Sequence, residues 1–388
     1  MPGREVSMQQ LPILEGQIRP AEAETEAAPP ATRRRRTWYV VLTLCFFAAV
    51  IPETLTTTST SVAKIITQPA SLPFIMLFYG LADLLIREAL VRRRLGWVSL
   101  ILLGIAFGFI NEGVIAGTWY TVKNNGYAFV GQIDFAWAVA LTVFHLFVSV
   151  IAPIAFIETI FPAHAGLPLL RRRGIIISSV VFLLLTTVFL FVESYRPYRI
   201  LVFALALMLA IIALRLPAAR PRLLSARQPP SLWRLRWVGF FTMLGFFVLI
   251  YAIPPITLKL AGAHVAAAQA ADIVIFVLFS ALLLFIGRRW TRRTGWSLRH
   301  TLALITGVLA FPSLLTIALP FFWPTLEFFA TVPCLLLLIL LDRRLKRRAR
   351  FLMDSDAAHD ERDAQDFDRG GNLTQDDRAN ERGGGREQ

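Results

Sequence analysis

An all-α, polytopic transmembrane helix bundle is the fold class that this chain predicts, and three observations predict it. The 388 residues are 56% hydrophobic and 17% charged, with a mean hydropathy of +0.59; a soluble domain has about 45–50% apolar and about 25% charged residues. Apolar stretches close to 20 residues long recur, the length that crosses a hydrocarbon core of about 30 Å. Arginines cluster at the ends of those stretches and are sparse within them.

Taken in order, residues 1–36 are polar, with the stretch "AEAETEAAPPAT", and predict a disordered cytoplasmic arm. About ten spans follow, at 37–55, 71–90, 96–120, 133–160, 174–193, 198–216, 237–257, 264–287, 299–319 and 322–342. They make up a transmembrane domain over 37–350. The acidic segment 351–388 predicts a disordered cytoplasmic tail. The basic entry "RRRRTWYVVL" is followed by no A-x-A cleavage pattern, so the first apolar run reads as an uncleaved span.

Charge sets the orientation. The clusters "RRRR" (33–36), "RRR" (92–94), "RRR" (171–173), "RRWTRR" (288–293) and "RRLKRRAR" (343–350) fall in alternate loops, whereas the intervening loops hold only Lys64, Lys123, Arg196, Arg199 and Lys259. By the positive-inside rule this places both termini in the cytoplasm. The net charge of +14 therefore belongs to loops facing anionic lipid, not to a nucleic-acid groove, which needs a contiguous basic face. Trp38, Trp97, Trp237, Trp290, Trp296 and Trp323 fall at predicted interfaces. Cys45 and Cys334 lie in apolar runs, form no CxxC motif and read as small buried hydrophobes. The excess of arginine over lysine (Lys64, Lys123, Lys259 and Lys346) suggests a GC-rich bacterial genome, hence a plasma membrane.

The chemistry lies in the polar residues within spans. Glu53, Asp83, Glu112, Asp272 and Glu327 are far from the arginine clusters, whereas Glu88, Glu158 and Asp342 lie close enough to be paired or solvated there. In "GFINEGVIAG", Asn111 and Glu112 stand side by side in an apolar run. An unpaired buried charge is costly, so buried ionisable residues in spans mark a path or a site, or pair with one another. At about 1.5 Å per residue, Glu112 lies roughly 22 Å along the third span and Asp272 roughly 12 Å along the eighth. Glu53, Asp83, Asn111, Glu112, His145 and Asp272 are thus the candidates for an outward-facing polar site.

Helical spacing adds detail. Gly104, Gly108 and Glu112 share one face, and Gly113 and Gly117 the adjoining stripe, so that a neighbouring helix can approach closely. Asp134, Thr142, His145 and Ser149 form a stripe on the fourth span, and Pro153 frees the Ser149 carbonyl. His264, Ala268 and Asp272 share a face of the eighth.

The stretch "NEGVIAG" resembles the first motif, Glu-Glu-x-x-x-Arg-Gly, of the CPBP (Abi, CAAX-protease-like) intramembrane metalloproteases, and His145 matches the histidine of their Phe-x-x-x-His motif. Asn111, Ala116 and Leu141 depart from the family pattern, and the third motif, His-x-x-x-Asn, has no counterpart. The resemblance implies Glu112 and His145 as metal candidates; a catalytic zinc takes three protein ligands, with Asp272 or His264 as conceivable thirds. The wider pattern, "FYGLADLLIREALVRRRLGW" followed by "FGFINEG" and "HLFVSVIAPIAFIE", resembles bacterial multi-pass membrane proteins of unassigned function. HExxH, GxSxG, Walker and dinucleotide motifs are absent.

The reading favoured by these residues is an integral membrane protein of transporter or lipid-handling type. The alternatives are a degenerate CPBP-like metalloprotease and a non-catalytic subunit or scaffold. No cofactor is expected. The expected partners are the bilayer and anionic lipid at the arginine clusters, with no nucleic acid; neither a substrate nor a protein partner is specified.

Overall fold

The computed structural model describes residues 37–55, 67–120, 129–130, 132–192, 194–218, 225–262, 264–318 and 332–347. The expected arm at 1–36, the tail at 351–388, Glu327 and residues 322–331 of the tenth predicted span lie outside the described residues, whereas the rest of that span, 332–342, is helical. The chain divides into a unit of residues 1–338 and a unit of residues 339–388, of which only 339–347 are described.

Helix α1 (Thr37–Val50) continues as a π-helical turn, Ile51–Leu55. Helix α2 is Ser71–Arg93. Helix α3, Trp97–Gly108, runs on as a π-helical segment, Phe109–Ala116. A two-residue antiparallel pair, β1 (Phe129–Val130) with β2 (Ile133–Asp134), precedes α4 (Phe135–Phe144). Helix α4 passes through a π-helical segment, His145–Ile151, into α5 (Ala152–Ile160). Then come α6 (Arg172–Val188) and α7 (Arg196–Arg215). Helix α8 (Leu232–Phe247) leads through a π turn, Val248–Ala252, into α9 (Ile253–Ala261). Next are α10 (Val265–Trp290) and α11 (Leu298–Ala318), and residues 332–347 are again helical.

Among the described residues, seven helices are long and apolar enough to cross a membrane, and Thr37–Glu53 is a shorter apolar helix. The seven correspond to the third to ninth predicted spans. The second predicted span is helical over 23 residues but carries Asp83, Arg87, Glu88, Arg92 and Arg93. Three of those charges lie inside the protein, Asp83, Arg87 and Glu88 being at most 1% exposed, whereas Arg92 and Arg93 at the helix end are exposed.

Chain ends of individual helices differ from expectation for identifiable reasons. The third predicted span stops at Ala116, because Gly117 takes a left-handed conformation (φ 66°) and returns its N–H to the Glu112 carbonyl. Helix α4 begins one residue after Asp134, whose side chain caps it by accepting from the Trp137 N–H at 3.1 Å. Helix α2 ends at Arg94, left-handed at φ 53°, whose N–H returns to the Leu90 carbonyl.

The helices form a core and a ring. Helices α1 to α5 pack on one another, while α6 lies on α2, α7 on α3, α10 on α4, and α11 on α5 and α8. Burial separates the two sets: 78% of an 18-residue stretch within Phe135–Ile160 is inside the protein, against 11% of one within Arg172–Phe191. The ring helices turn large apolar side chains such as Ile177, Leu184, Met208 and Leu278 outward, as a surface facing lipid requires. Since lipid is as apolar as leucine, close packing and polar contacts hold such a bundle together. The expected glycine seam does this. A Cβ on Gly108 would stand 3.0 Å from the Thr142 Cα and one on Gly104 would strike Leu146, so α3 and α4 approach closely there. Gly113 and Gly117 face the other way, against Val202 and Arg199 of α7.

Candidate functional site

Three of the π-helical stretches carry the candidate residues: Glu53 lies in Ile51–Leu55, Asn111 and Glu112 in Phe109–Ala116, and His145 and Ser149 in His145–Ile151. A π turn widens the helix and turns side chains off their α-helical stripe, and such turns concentrate at functional sites. Prolines account for two of them. Pro52 and Pro153 have no N–H to give, and just before Pro153 the Ala152 N–H reaches back five residues to the Phe147 carbonyl.

These stretches bring together a buried polar network. His145 Nε2 stands 2.7 Å from Glu112 Oε1, and His145 Nδ1 stands 2.7 Å from the Ser149 hydroxyl. Asn111 Nδ2 donates to the Tyr79 hydroxyl oxygen at 2.8 Å and also lies 2.8 Å from His145 Nε2 and 3.2 Å from Glu112 Oε1. The Tyr79 hydroxyl donates to Glu53 Oε1, and the Thr118 hydroxyl donates to Glu112 Oε2. Glu53, Tyr79, Asn111, Glu112, His145 and Ser149 are all buried. Phe107 and Phe144 close over the imidazole edge-on, at 5.9 and 5.3 Å between ring centres.

The hydrogen inventory is informative. A carboxylate oxygen and an unprotonated imidazole nitrogen both present lone pairs and would repel at 2.7 Å. One hydrogen therefore occupies that gap, held by the imidazole or by the carboxyl. The Glu112–His145 pair is thus hydrogen-bonded and buried between two spans.

The polar face of α2 continues toward its arginine-rich end. Asp83 is one turn beyond Tyr79 and Arg87 one turn beyond Asp83, about 6 Å each along the helix. Asp83 is fully buried, and neither carboxyl oxygen has a hydrogen-bond partner among the described residues. Arg87 is held by Glu158, with Nε at 2.8 Å and Nη2 at 2.7 Å from Oε1, and donates to the carbonyls of Leu167 (3.0 Å) and His164 (2.8 Å). Glu88 accepts from the Leu169 N–H at 2.5 Å and pairs with Arg92 at 2.7 Å. Glu88 and Glu158 are thus paired at the arginine-rich end, one of the two fates expected of them.

Not every expected residue joins the network. Asp272 accepts from the Thr257 hydroxyl at 2.7 Å, a contact between α10 and α9. His264 is exposed at the start of α10. Among the described residues, no three of His, Cys, Asp and Glu come together in a way that could hold a metal. Glu112 and His145 bind each other, and the third ligand that a catalytic zinc takes is not beside them among those residues.

The sequence reading passed over Tyr79, Thr118 and Arg199. Tyr79 was within reach, since it shares the i, i+4, i+8 face of Asp83 and Arg87. Arg199 could be placed only by the fold: its Nη1 donates to the carbonyls of Val114 and, at 3.3 Å, Ile115, closing the C-terminal end of the Glu112 segment. Beside it, the Tyr120 hydroxyl donates to the Gly113 carbonyl at 2.8 Å, and burial pushes that hydroxyl's pKa up to about 12, so it remains a donor at neutral pH.

Fold and site together define a multi-pass helical membrane protein whose core helices enclose an acid–imidazole pair. No curated protein and no solved structure matches the chain. The chain belongs to an uncharacterized membrane protein family, whose profile matches residues 40–348 and so takes in every residue of the network.

Proposed function

We propose that this membrane protein is a proton-coupled transporter or permease, with Glu112 and His145 as its protonatable site. The observation that carries the proposal is the 2.7 Å contact between His145 Nε2 and Glu112 Oε1, buried and built on two π-helical breaks. Broken helices that meet near mid-membrane are the way transporters place polar groups where lipid cannot reach.

In this reading Glu112 takes and releases the proton. Ser149 and Asn111 orient His145 so that the proton always has an acceptor across the gap. Tyr79 joins Glu53 to the pair through Asn111, and Glu53 is the outward end. Asp83, one turn further along α2 and without a partner among the described residues, is the next carboxyl toward the arginine-rich side. The arginine distribution makes that side cytoplasmic, in a bacterial plasma membrane crossed about ten times.

Infrared titration of the full chain in lipid tests this. The signal of a protonated carboxyl should appear and vanish with pH in the wild type and be missing from Glu112→Gln. The same variant in liposomes should carry at most about one-hundredth of the wild-type proton flux under an imposed potential, the scale of loss when a positioned proton donor is removed being at least about 10². An unchanged infrared signal and unchanged flux in Glu112→Gln would overturn the proposal and leave the network a device for locking helices.

A further inference from the structure

Two cavities meet at Arg92. The larger, about 510 Å³, lies between α6 and α7 and over α2 and α3; its walls include Ala82, Leu103, Ser179, Phe182, Phe203 and Ala210. Its volume is in the range of small-molecule sites, roughly 300–1,000 Å³. It exists because α6 rests on α2 and α7 rests on α3, which leaves a gap between two successive helices. At its arginine-rich end stand Glu88, Arg92 and Arg93. The smaller cavity, about 420 Å³, is lined by Thr37, Arg92, Leu170, Arg171 and Arg172, among others.

The charges around the junction are unequal. Arg87 is matched by Glu158, and Arg92 by Glu88. Arg93, Arg171 and Arg172 form no ion pair among the described residues. Arg93 does donate to the Leu214 carbonyl at 2.7 Å. An apolar slot that ends in an arginine-lined chamber has the two-part chemistry of an amphiphile with an anionic head. The slot's walls belong to ring helices whose outer faces carry Ile176, Leu184, Leu201 and Met208, all exposed, so an occupant enters sideways from the bilayer.

We infer that this paired cavity is a binding site for one acidic phospholipid. Its phosphate is held by Arg171 and Arg172, beside the Glu88-paired Arg92, and an acyl chain lies in the slot between α6 and α7. The general attraction of arginine clusters for anionic lipid is thereby narrowed to one defined seat. The inference does not rest on the Glu112–His145 pair, with which the cavity shares Phe107 as a wall.

Native mass spectrometry of the full chain in mild detergent tests it, with phosphatidylglycerol, phosphatidylcholine of the same chains, and inorganic phosphate alone as separate probes. One phosphatidylglycerol should be retained in preference to phosphatidylcholine. Arg171→Gln/Arg172→Gln should weaken retention about 30-fold, on the order of fivefold for each juxtamembrane arginine. Ala210→Trp, which fills the slot, should abolish it. Ser179→Trp, on the lipid-exposed helix α6, provides a second plug if Ala210→Trp fails to fold. Equal retention of the two lipids, displacement of the lipid by phosphate alone, or full retention by a folded slot-filled variant would each overturn the inference.

Discussion

Replacing Arg87 by methionine removes the cation that holds the arginine-rich end of the core. Arg87 is 1% exposed and makes three hydrogen bonds, one each to Glu158 and to the carbonyls of His164 and Leu167, with its Nη2 also in ion-pair contact with Glu158 at 2.7 Å. Methionine fills a similar stem volume but donates nothing. It leaves the buried Glu158 carboxyl with only the Gly166 N–H, at 3.0 Å, among its described donors. Breaking a buried ion pair from one side costs about 3–5 kcal/mol, because the remaining charge is stranded. Two orphaned carbonyls add about 1–3 kcal/mol each where water does not replace the donor. With water taking over at the two carbonyls, we expect about 4 kcal/mol in unfolding free energy for Arg87→Met. The double variant Arg87→Met/Glu158→Met should cost at least about 2 kcal/mol less than the sum of the two single changes, since both charges leave together. Reversible unfolding in detergent gives the cycle. Hydrogen exchange adds a local reading, because the amides of Gly166, Leu169 and Leu170 donate to Glu158 and Glu88 and should exchange faster in Arg87→Met. Additive single changes, or a loss below about 1 kcal/mol for Arg87→Met, would refute the view that this pair holds the 161–171 loop to α2.

Two further outcomes follow from the packing around the network. Gly108→Leu places a side chain where even a Cβ would lie 3.0 Å from the Thr142 Cα; it should cost about 1–3 kcal/mol by overpacking, read as a lower unfolding midpoint, and should separate Asn111 and Glu112 from His145. Arg199→Met removes the donor to the Val114 and Ile115 carbonyls; a loss of about 1–3 kcal/mol is expected, with faster exchange at the Gly117 amide, which closes the same turn.

Much of this was legible in the residues themselves. Glycines four apart before Glu112 implied a close helix neighbour, and Gly104 and Gly108 do meet Leu146 and Thr142. Cys45 and Cys334 are free, as their apolar settings implied. The burial of Asn111, Glu112 and His145 followed from their place within apolar runs. Less legible was which polar groups meet. Asp272 has the same sequence credentials as Glu112, yet it joins Thr257 across the α9–α10 turn. Tyr79 looks like one aromatic among many, yet it connects Glu53 to Asn111. The π-helical stretches left no trace beyond Pro52 and Pro153, because a π turn answers to packing and to a missing donor, not to side-chain periodicity.

The sequence by itself determined that this is a helical membrane protein and that Asn111, Glu112 and His145 are withheld from water. Hydropathy and charge act locally, between a stretch of chain and the bilayer, so they can be read without knowing any neighbour. Only the tertiary structure decided that Glu112 faces His145 from 33 positions away, that Arg87 faces Glu158 from 71 away, and that a gap remains between α6 and α7. Those outcomes depend on how each helix is rotated about its own axis. In a solvent as apolar as the side chains it dissolves, that rotation is set by close packing and by the partners that polar groups find.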